Sequence, residues 1–143
     1  MKQNTPLALM EQVIMIAVFA LAAALCLQAF ALAERISREN EDRDKAVILA
    51  QNAAEVCIAG GGDPTFLIEK LGGAAMGQGW TALFKENLKE AGSDREGSYR
   101  VVLSRERTDY PGLGLANVCV YGAASGKLLF QIPTAWQEDE SRG

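Results

Sequence analysis

The sequence predicts an α+β fold in which one long N-terminal helix, first transmembrane and then amphipathic, packs on a small antiparallel β-sheet. Three features of the 143-residue chain support this: an uninterrupted apolar segment near its start, a charged and alanine-rich continuation with helical periodicity, and alternating apolar runs between turn residues in its second half. Beside the apolar segment, the length supports one small domain at most.

The composition excludes several classes of function. The chain has no His, so it lacks the side chain that Ser-His-Asp and Cys-His systems, His-ligated zinc and His-based acid–base catalysis require. Its net charge of −4 and its lack of a basic-aromatic stretch disfavour nucleic acid as a partner. The acidic clusters at 41–44 and 138–140 lack the spacing of a calcium loop. We therefore expect a protein that is not an enzyme and has neither a cofactor nor a metal site.

The first predicted element is a transmembrane helix over residues 7–33. Between Glu11 and Glu34 lie 22 uncharged residues, and a helix of that length spans ~33 Å, close to the ~30 Å hydrocarbon core of a bilayer. The apolar run is longer than that of a typical secretory signal, and no A-x-A cleavage site with a polar mature start follows it. We expect the segment to be retained as a membrane anchor.

The second predicted element, residues 34–59, continues the same helix in amphipathic form. Three acidic side chains each precede a basic side chain by four residues, the order that stabilises a helix: Glu34 with Arg38, Glu39 with Arg43, and Glu41 with Lys45. An apolar stripe follows at steps of four, three and four residues, formed by Ala46, Ala50, Ala53 and Cys57. Three glycines at 60–62 then end the helix.

Residues 60–137 are predicted to form an α+β domain that begins with a short helix. Asp63 is its N-cap and Pro64 its first residue, and a glycine-rich connection follows over 72–79. The segment 80–84 fits either a strand or the start of a helix, and we favour the strand.

The later part of this domain is predicted to contain three strands, over 99–104, 115–121 and 127–132. Pro111 and Gly112 occupy the central positions of a type II turn between the first two. Pro133 and an acidic tail over 138–143 are expected to end the fold. One face of such a sheet needs a cover, which the amphipathic helix provides.

The N-terminal residues resemble a known family. Leu7-Ala8-Leu9-Met10-Glu11, followed by an unbroken alanine-rich apolar helix, is similar to the start of a mature type IV pilin or type II secretion pseudopilin, which begins with an apolar residue and has glutamate at its fifth position. The predicted long helix and antiparallel sheet are also pilin-like. The continuation at 43–55 resembles small pilin-like proteins of Gram-positive bacteria.

The resemblance implies a function and a set of residues. Residues 1–6 would be a short polar leader that a prepilin peptidase removes between Pro6 and Leu7, with methylation of the new amine. Glu11 would pair with the amine of Leu7 in a neighbouring subunit. The protein would then be a minor pilin or pseudopilin, a single-pass protein of the cell membrane with an extracytoplasmic C-terminal domain, whose partners are the membrane, other subunits and the peptidase. From position alone, Glu11 fits a place at the headgroup boundary equally well.

Pro6 departs from the family pattern, because prepilin peptidases normally cut after glycine. The alternative function is therefore an unprocessed single-pass membrane protein whose extracytoplasmic domain binds a partner. Glu11 at its place after Leu7 favours the filament subunit, and Pro6 favours the alternative.

Two further sets of small residues have open interpretations. Ala17, Ala20 and Ala24 form a stripe that would let helices approach closely in a filament core, or they reflect alanine richness alone. Cys26 lies within the span and is expected to behave as an apolar residue. Cys57 and Cys119 would form a disulfide in an exported domain, or remain two free buried thiols.

Overall fold

The computed structural model describes residues 5–139, which form two compact units that divide between Asn40 and Glu41. Two helices and five strands make up this part of the chain. Their bounds are α1 Thr5–Ala59, α2 Pro64–Leu71, β1 Ala74–Met76, β2 Gly79–Phe84, β3 Tyr99–Glu106, β4 Leu113–Gly122 and β5 Leu128–Gln137. The α+β class predicted from the sequence is confirmed.

The first unit is the N-terminal part of α1, and all of its described side chains are exposed. Among residues 5–139, α1 is the one helix long and apolar enough to cross a membrane. Two ion pairs follow the apolar stretch: Arg38 Nη2 lies 2.7 Å from Glu34 Oε1, as predicted, and Arg35 Nε lies 3.7 Å from Glu39 Oε1. The sequence also places Arg43 four residues after Glu39. Arg35 lies four residues before Glu39 and is equally within reach on a helix surface.

The second unit contains a five-stranded antiparallel sheet whose strands lie in sequence order, β1 to β5. Successive side chains on a strand point to opposite faces. The face that we call the core face carries the most buried side chains, including Trp80, Val101, Leu103, Val118 and Val120. The part of α1 in this unit covers that face with its buried residues Ala46, Leu49, Ala50, Ala53, Ala54 and Cys57. The predicted apolar stripe is thus confirmed as the packing surface of the helix.

The residues predicted to cap the helices lie at the C-terminal end of α1 and at the N-terminal end of α2. Gly61 and Gly62 have φ values of 61° and 77°, which L-residues other than glycine rarely adopt, and α1 ends just before them. The Asp63 carboxylate accepts a hydrogen bond of 2.9 Å from the Thr65 N–H, and Pro64 starts α2.

Two predictions about the sheet need correction. The connection predicted over 72–79 contains the three-residue strand β1, because Ala74 to Met76 fold back on β2 through the turn at Gly77. Strand β5 does not end at Pro133 but continues to Gln137, and Trp136 adds a large buried side chain to the core. A proline is tolerated there because β5 is an edge strand, where a missing N–H costs no bond in the ladder.

Candidate functional site

The residues that the sequence assigned to processing and assembly lie in the N-terminal part of α1. Pro6 and Leu7 are in its first two turns, and Glu11 lies four residues after Leu7, about one helical turn further on. Both Leu7 and Glu11 are exposed. Neither side chain is covered by the described part of the chain, residues 5–139.

The small-residue stripe lies on one face of the same segment. Ala17, Ala20 and Ala24 are spaced by three and four residues, which brings them together on one side of a helix. Large apolar side chains are exposed on this segment as well, among them Phe19 at 76% and Phe30 at 74%. Cys26 is exposed here, on the apolar stretch in which it was expected. The segment is thus long and apolar enough to cross a membrane, by length and composition.

Glu11 is the only charged residue between Thr5 and Ala33. A lone carboxylate within an apolar helix is costly in hydrocarbon unless it is paired, protonated or at the interface. The geometry thus isolates one acidic group on an otherwise uncharged surface.

The second unit carries a different candidate site, on the sheet face opposite to the core face. We call this the outer face. A groove of about 640 Å³ lies on it and is open to solvent rather than enclosed. Its volume is within the range of roughly 300–1,000 Å³ that is usual for ligand sites.

Neighbouring side chains of three strands form the floor of this groove. Leu83 of β2, Arg100 of β3 and Tyr121 of β4 lie side by side, since Leu83 pairs with Arg100 and Arg100 pairs with Tyr121. The next row of the floor contains Thr81 paired with Val102. Arg100 is therefore flanked by an aliphatic and an aromatic side chain, with a second aliphatic side chain two residues further along its own strand.

The segment 90–94 forms one wall of the groove, and we call it the arch. Its position is fixed by backbone and side-chain bonds: the Ala91 N–H donates to the Leu83 carbonyl at 2.8 Å, and the Gly73 N–H donates to Glu90 Oε1 at 3.0 Å. Glu90 packs so closely on the chain that a Cβ built at Gly72 would lie 2.1 Å from its carboxylate carbon. The arch is thus held against β2 by tight local contacts.

The turn that leads into the arch contains an unusual backbone conformation. Leu88 has φ 65°, and it is the only described non-glycine residue with positive φ. Its N–H donates to the Lys85 carbonyl at 2.9 Å, and its side chain packs against the core cluster. Core packing therefore holds a leucine where glycine or asparagine is usual. Beyond the arch, Glu96 Oε2 lies 2.8 Å from Lys85 Nζ, and this contact lowers the pKa of Glu96.

The charged groups that line the groove are Glu90, Asp94 and Arg100. Glu90 is already engaged by the Gly73 N–H. Arg100 is exposed, and within residues 5–139 no carboxylate comes within ion-pair distance of it. Its guanidinium is thus available to an external acceptor.

The two cysteines considered for a disulfide are free thiols on opposite sides of β4. Cys57 is fully buried under the core face, where burial raises the pKa of its thiol to about 11. Cys119 lies between the fully buried Val118 and Val120, so strand alternation directs its side chain to the outer face. The disulfide is therefore not formed, and Cys119 is only half-buried rather than buried.

The groove could not be predicted from the sequence. Arg100 could be placed on the solvent side of its strand by alternation, but the arch arises from the fold of residues 85–98, which contain no regular pattern. One signal was present: Leu83, Val102 and Tyr121 alternate with core residues, so both faces of the sheet carry apolar side chains. Within residues 5–139, no group of three or more Cys, Asp or Glu side chains is arranged to hold a metal ion.

Comparisons with protein-family models, with curated proteins and with solved structures give no match to this chain. The order of elements, a long N-terminal apolar helix followed by an antiparallel sheet, is the one expected of a pilin-like fold.

Proposed function

We propose that this protein is a minor pilin or pseudopilin subunit, which is anchored in the membrane by the N-terminal part of α1 and assembles through that segment into a type IV pilus-like or type II secretion-like filament. One observation carries the proposal: Glu11 is a single carboxylate, one turn after Leu7, on an exposed apolar helix of membrane-spanning length.

The proposed mechanism starts with cleavage between Pro6 and Leu7 by a prepilin peptidase. Cleavage frees the amine of Leu7, and this cation pairs with Glu11 of a neighbouring subunit. In a low-dielectric environment an unpaired charge is strongly unfavourable, so the pair forms in one register and sets the stagger between subunits. The exposed apolar side chains and the stripe Ala17, Ala20 and Ala24 supply the packing between helices.

The proposal places the second unit outside the cytoplasm, joined to the anchor through α1. There the sheet and its groove face solvent and are accessible to partners. This arrangement gives the two units separate tasks, assembly for the first and recognition for the second.

The alternative function is an unprocessed single-pass membrane protein whose second unit binds a partner. Pro6 favours it, because proline fixes φ and lacks the freedom that glycine gives to a peptidase substrate. In this case Glu11 lies at the headgroup boundary and needs no partner subunit.

The proposal is tested by the change Glu11→Ala in cells that produce the protein from its own locus. We expect the amount in the sheared filament fraction to fall at least tenfold, while the amount in the membrane fraction is unchanged. Glu34→Ala is the matched control, since it removes a carboxylate beyond the end of the apolar stretch and leaves Glu11 in place. Undiminished incorporation of the Glu11→Ala protein would contradict the proposal.

A further inference from the structure

We propose that the groove on the outer face of the sheet binds an extended segment of a partner protein, in which one carboxylate side chain lies between aliphatic side chains. This groove belongs to the second unit alone, and binding there is independent of whether α1 assembles into a filament.

The shape of the groove fits an extended chain. The floor is made of side chains from neighbouring strands, which lie about 4.8 Å apart, and Ala74 and Met76 of the edge strand β1 extend its lining. The groove is open to solvent and does not enclose its contents. Such a site accommodates a peptide that passes across it, whereas small-molecule sites usually bury most of the ligand.

An unpaired cation on the floor of the groove favours an acidic side chain in the ligand. Arg100 lies at the centre of the floor and has no carboxylate partner within residues 5–139, so it is the group that an acidic side chain would meet. Tyr121 lies beside it in the register, and its hydroxyl contacts the Cys119 thiol. The Arg100 guanidinium suits an acceptor with two oxygens, such as a carboxylate.

The two carboxylates of the arch disfavour a ligand with several negative charges. Glu90 and Asp94 both line the groove, which gives its lining one net negative charge when Arg100 is included. A polyanion such as a nucleic acid or a cluster of phosphates would be repelled by them. A segment with a single carboxylate meets less of this repulsion than a polyanion does, and its pairing with Arg100 offsets it.

Aliphatic side chains on the floor favour aliphatic residues on either side of the ligand's carboxylate. Leu83 and Val102 are half-buried, each next to Arg100 in space. Aliphatic side chains before and after the carboxylate would cover them and remove water from around the ion pair. Removal of water strengthens a charged hydrogen bond relative to the same contact in bulk solvent.

The experiment is a selection from a displayed library of random nonapeptides on the full chain in detergent micelles. Counter-selection uses detergent micelles without protein. We expect enriched sequences with one Asp or Glu between aliphatic residues, which bind Arg100→Glu at least tenfold more weakly than the unaltered protein. Replacing the acidic residue of a selected peptide by Gln or Asn should cause a similar loss.

The matched control is Arg95→Glu, which makes the same change of charge at an exposed position outside the groove. It should bind the selected peptides as the unaltered protein does. An unchanged unfolding transition of Arg100→Glu would show that its loss of binding is not a loss of fold. The proposal is overturned if no sequence is enriched, if the enriched sequences lack a carboxylate, or if they bind Arg100→Glu equally well.

Discussion

The hydroxyl of Tyr99 donates a hydrogen bond of 2.7 Å to Oδ1 of Asp42. This bond joins the first residue of β3 to α1 close to the point where the second unit begins. The Tyr99 side chain is buried and Asp42 is exposed. Burial, followed by the bond to Asp42, raises the pKa of Tyr99 above its ordinary value. The pair thus fixes the start of the helix segment that covers the core.

The change Tyr99→Phe should destabilise the second unit by about 1 kcal/mol, because it removes one hydrogen bond to a carboxylate that water can still solvate. The measurement is urea unfolding of the full chain in detergent, followed by the fluorescence of Trp80 and Trp136, both of which are buried in this unit. Tyr110→Phe is the control, since Tyr110 is 74% exposed in a turn and should have no effect. Equal stability of the two variants would contradict the assigned role of the bond.

The alkaline limb of the stability curve should also depend on Tyr99. A phenol whose pKa is higher in the folded state binds its proton more tightly when folded, so its contribution is complete below the ordinary pKa of 10.0 and declines as the pH rises above it. We expect the free energy of unfolding to fall above pH 10, and to fall less steeply in Tyr99→Phe. Parallel curves for the two proteins would show that this phenol is not responsible.

Cys57 should be the least reactive thiol in the second unit. Its pKa of about 11 leaves almost no thiolate at neutral pH, and its side chain is fully buried. In a Cys26→Ser background, we expect alkylation of Cys119 at least about tenfold faster than alkylation of Cys57, as measured by peptide mass analysis over time. Faster labelling of Cys57, or recovery of a peptide that joins it to Cys119, would contradict the structure.

Gly114 should not tolerate a side chain, because Trp136 lies directly opposite in the register and covers it. A Cβ built at Gly114 would lie 2.2 Å from Cε2 of the Trp136 ring. We expect Gly114→Ala to lower the free energy of unfolding by about 1–3 kcal/mol, as for other overpacked cores. Gly92→Ala is the control: its Cβ would meet nothing within 4 Å, so the change should stay within about 0.5 kcal/mol. A neutral Gly114→Ala would show that the indole lies elsewhere.

Pro133 should protect the exposed edge of the sheet. It lies within β5, an edge strand of ten residues that otherwise presents backbone donors and acceptors to other chains. Pro133→Val restores one N–H on this edge, and we expect a shift towards larger species in sedimentation at high protein concentration. Ala135→Val adds a β-branched residue on the same edge without a new backbone donor. Its sedimentation profile should match that of the unaltered protein. Identical sedimentation of the two variants would contradict this role.

Several elements could be predicted because a local pattern determines them. Tyr110 to Leu113 form the predicted turn, with a hydrogen bond of 3.4 Å from the Leu113 N–H to the Tyr110 carbonyl and φ 79° at Gly112. The segment 80–84, whose sequence pattern fitted either a strand or the start of a helix, lies in strand β2. Its pairing with β3 decides between them, and pairing partners cannot be read from one short segment.

The remaining features depend on contacts between distant parts of the chain. The continuation of β5 beyond Pro133 depends on its place at the edge of the sheet, and the free state of Cys57 and Cys119 depends on which face each side chain occupies. The groove requires the arch to fold back on β2 and bring Glu90 to Gly73, 17 residues away in sequence. None of these relationships has a signature in the local order of residues.

Assembly through a processed N-terminal helix is best tested by intact-mass and N-terminal peptide analysis of the protein isolated from its native membranes. We expect a chain that begins at Leu7, with or without a methyl group on its amine. A chain that still contains Pro6 would contradict processing and leave the unprocessed, partner-binding membrane protein as the function.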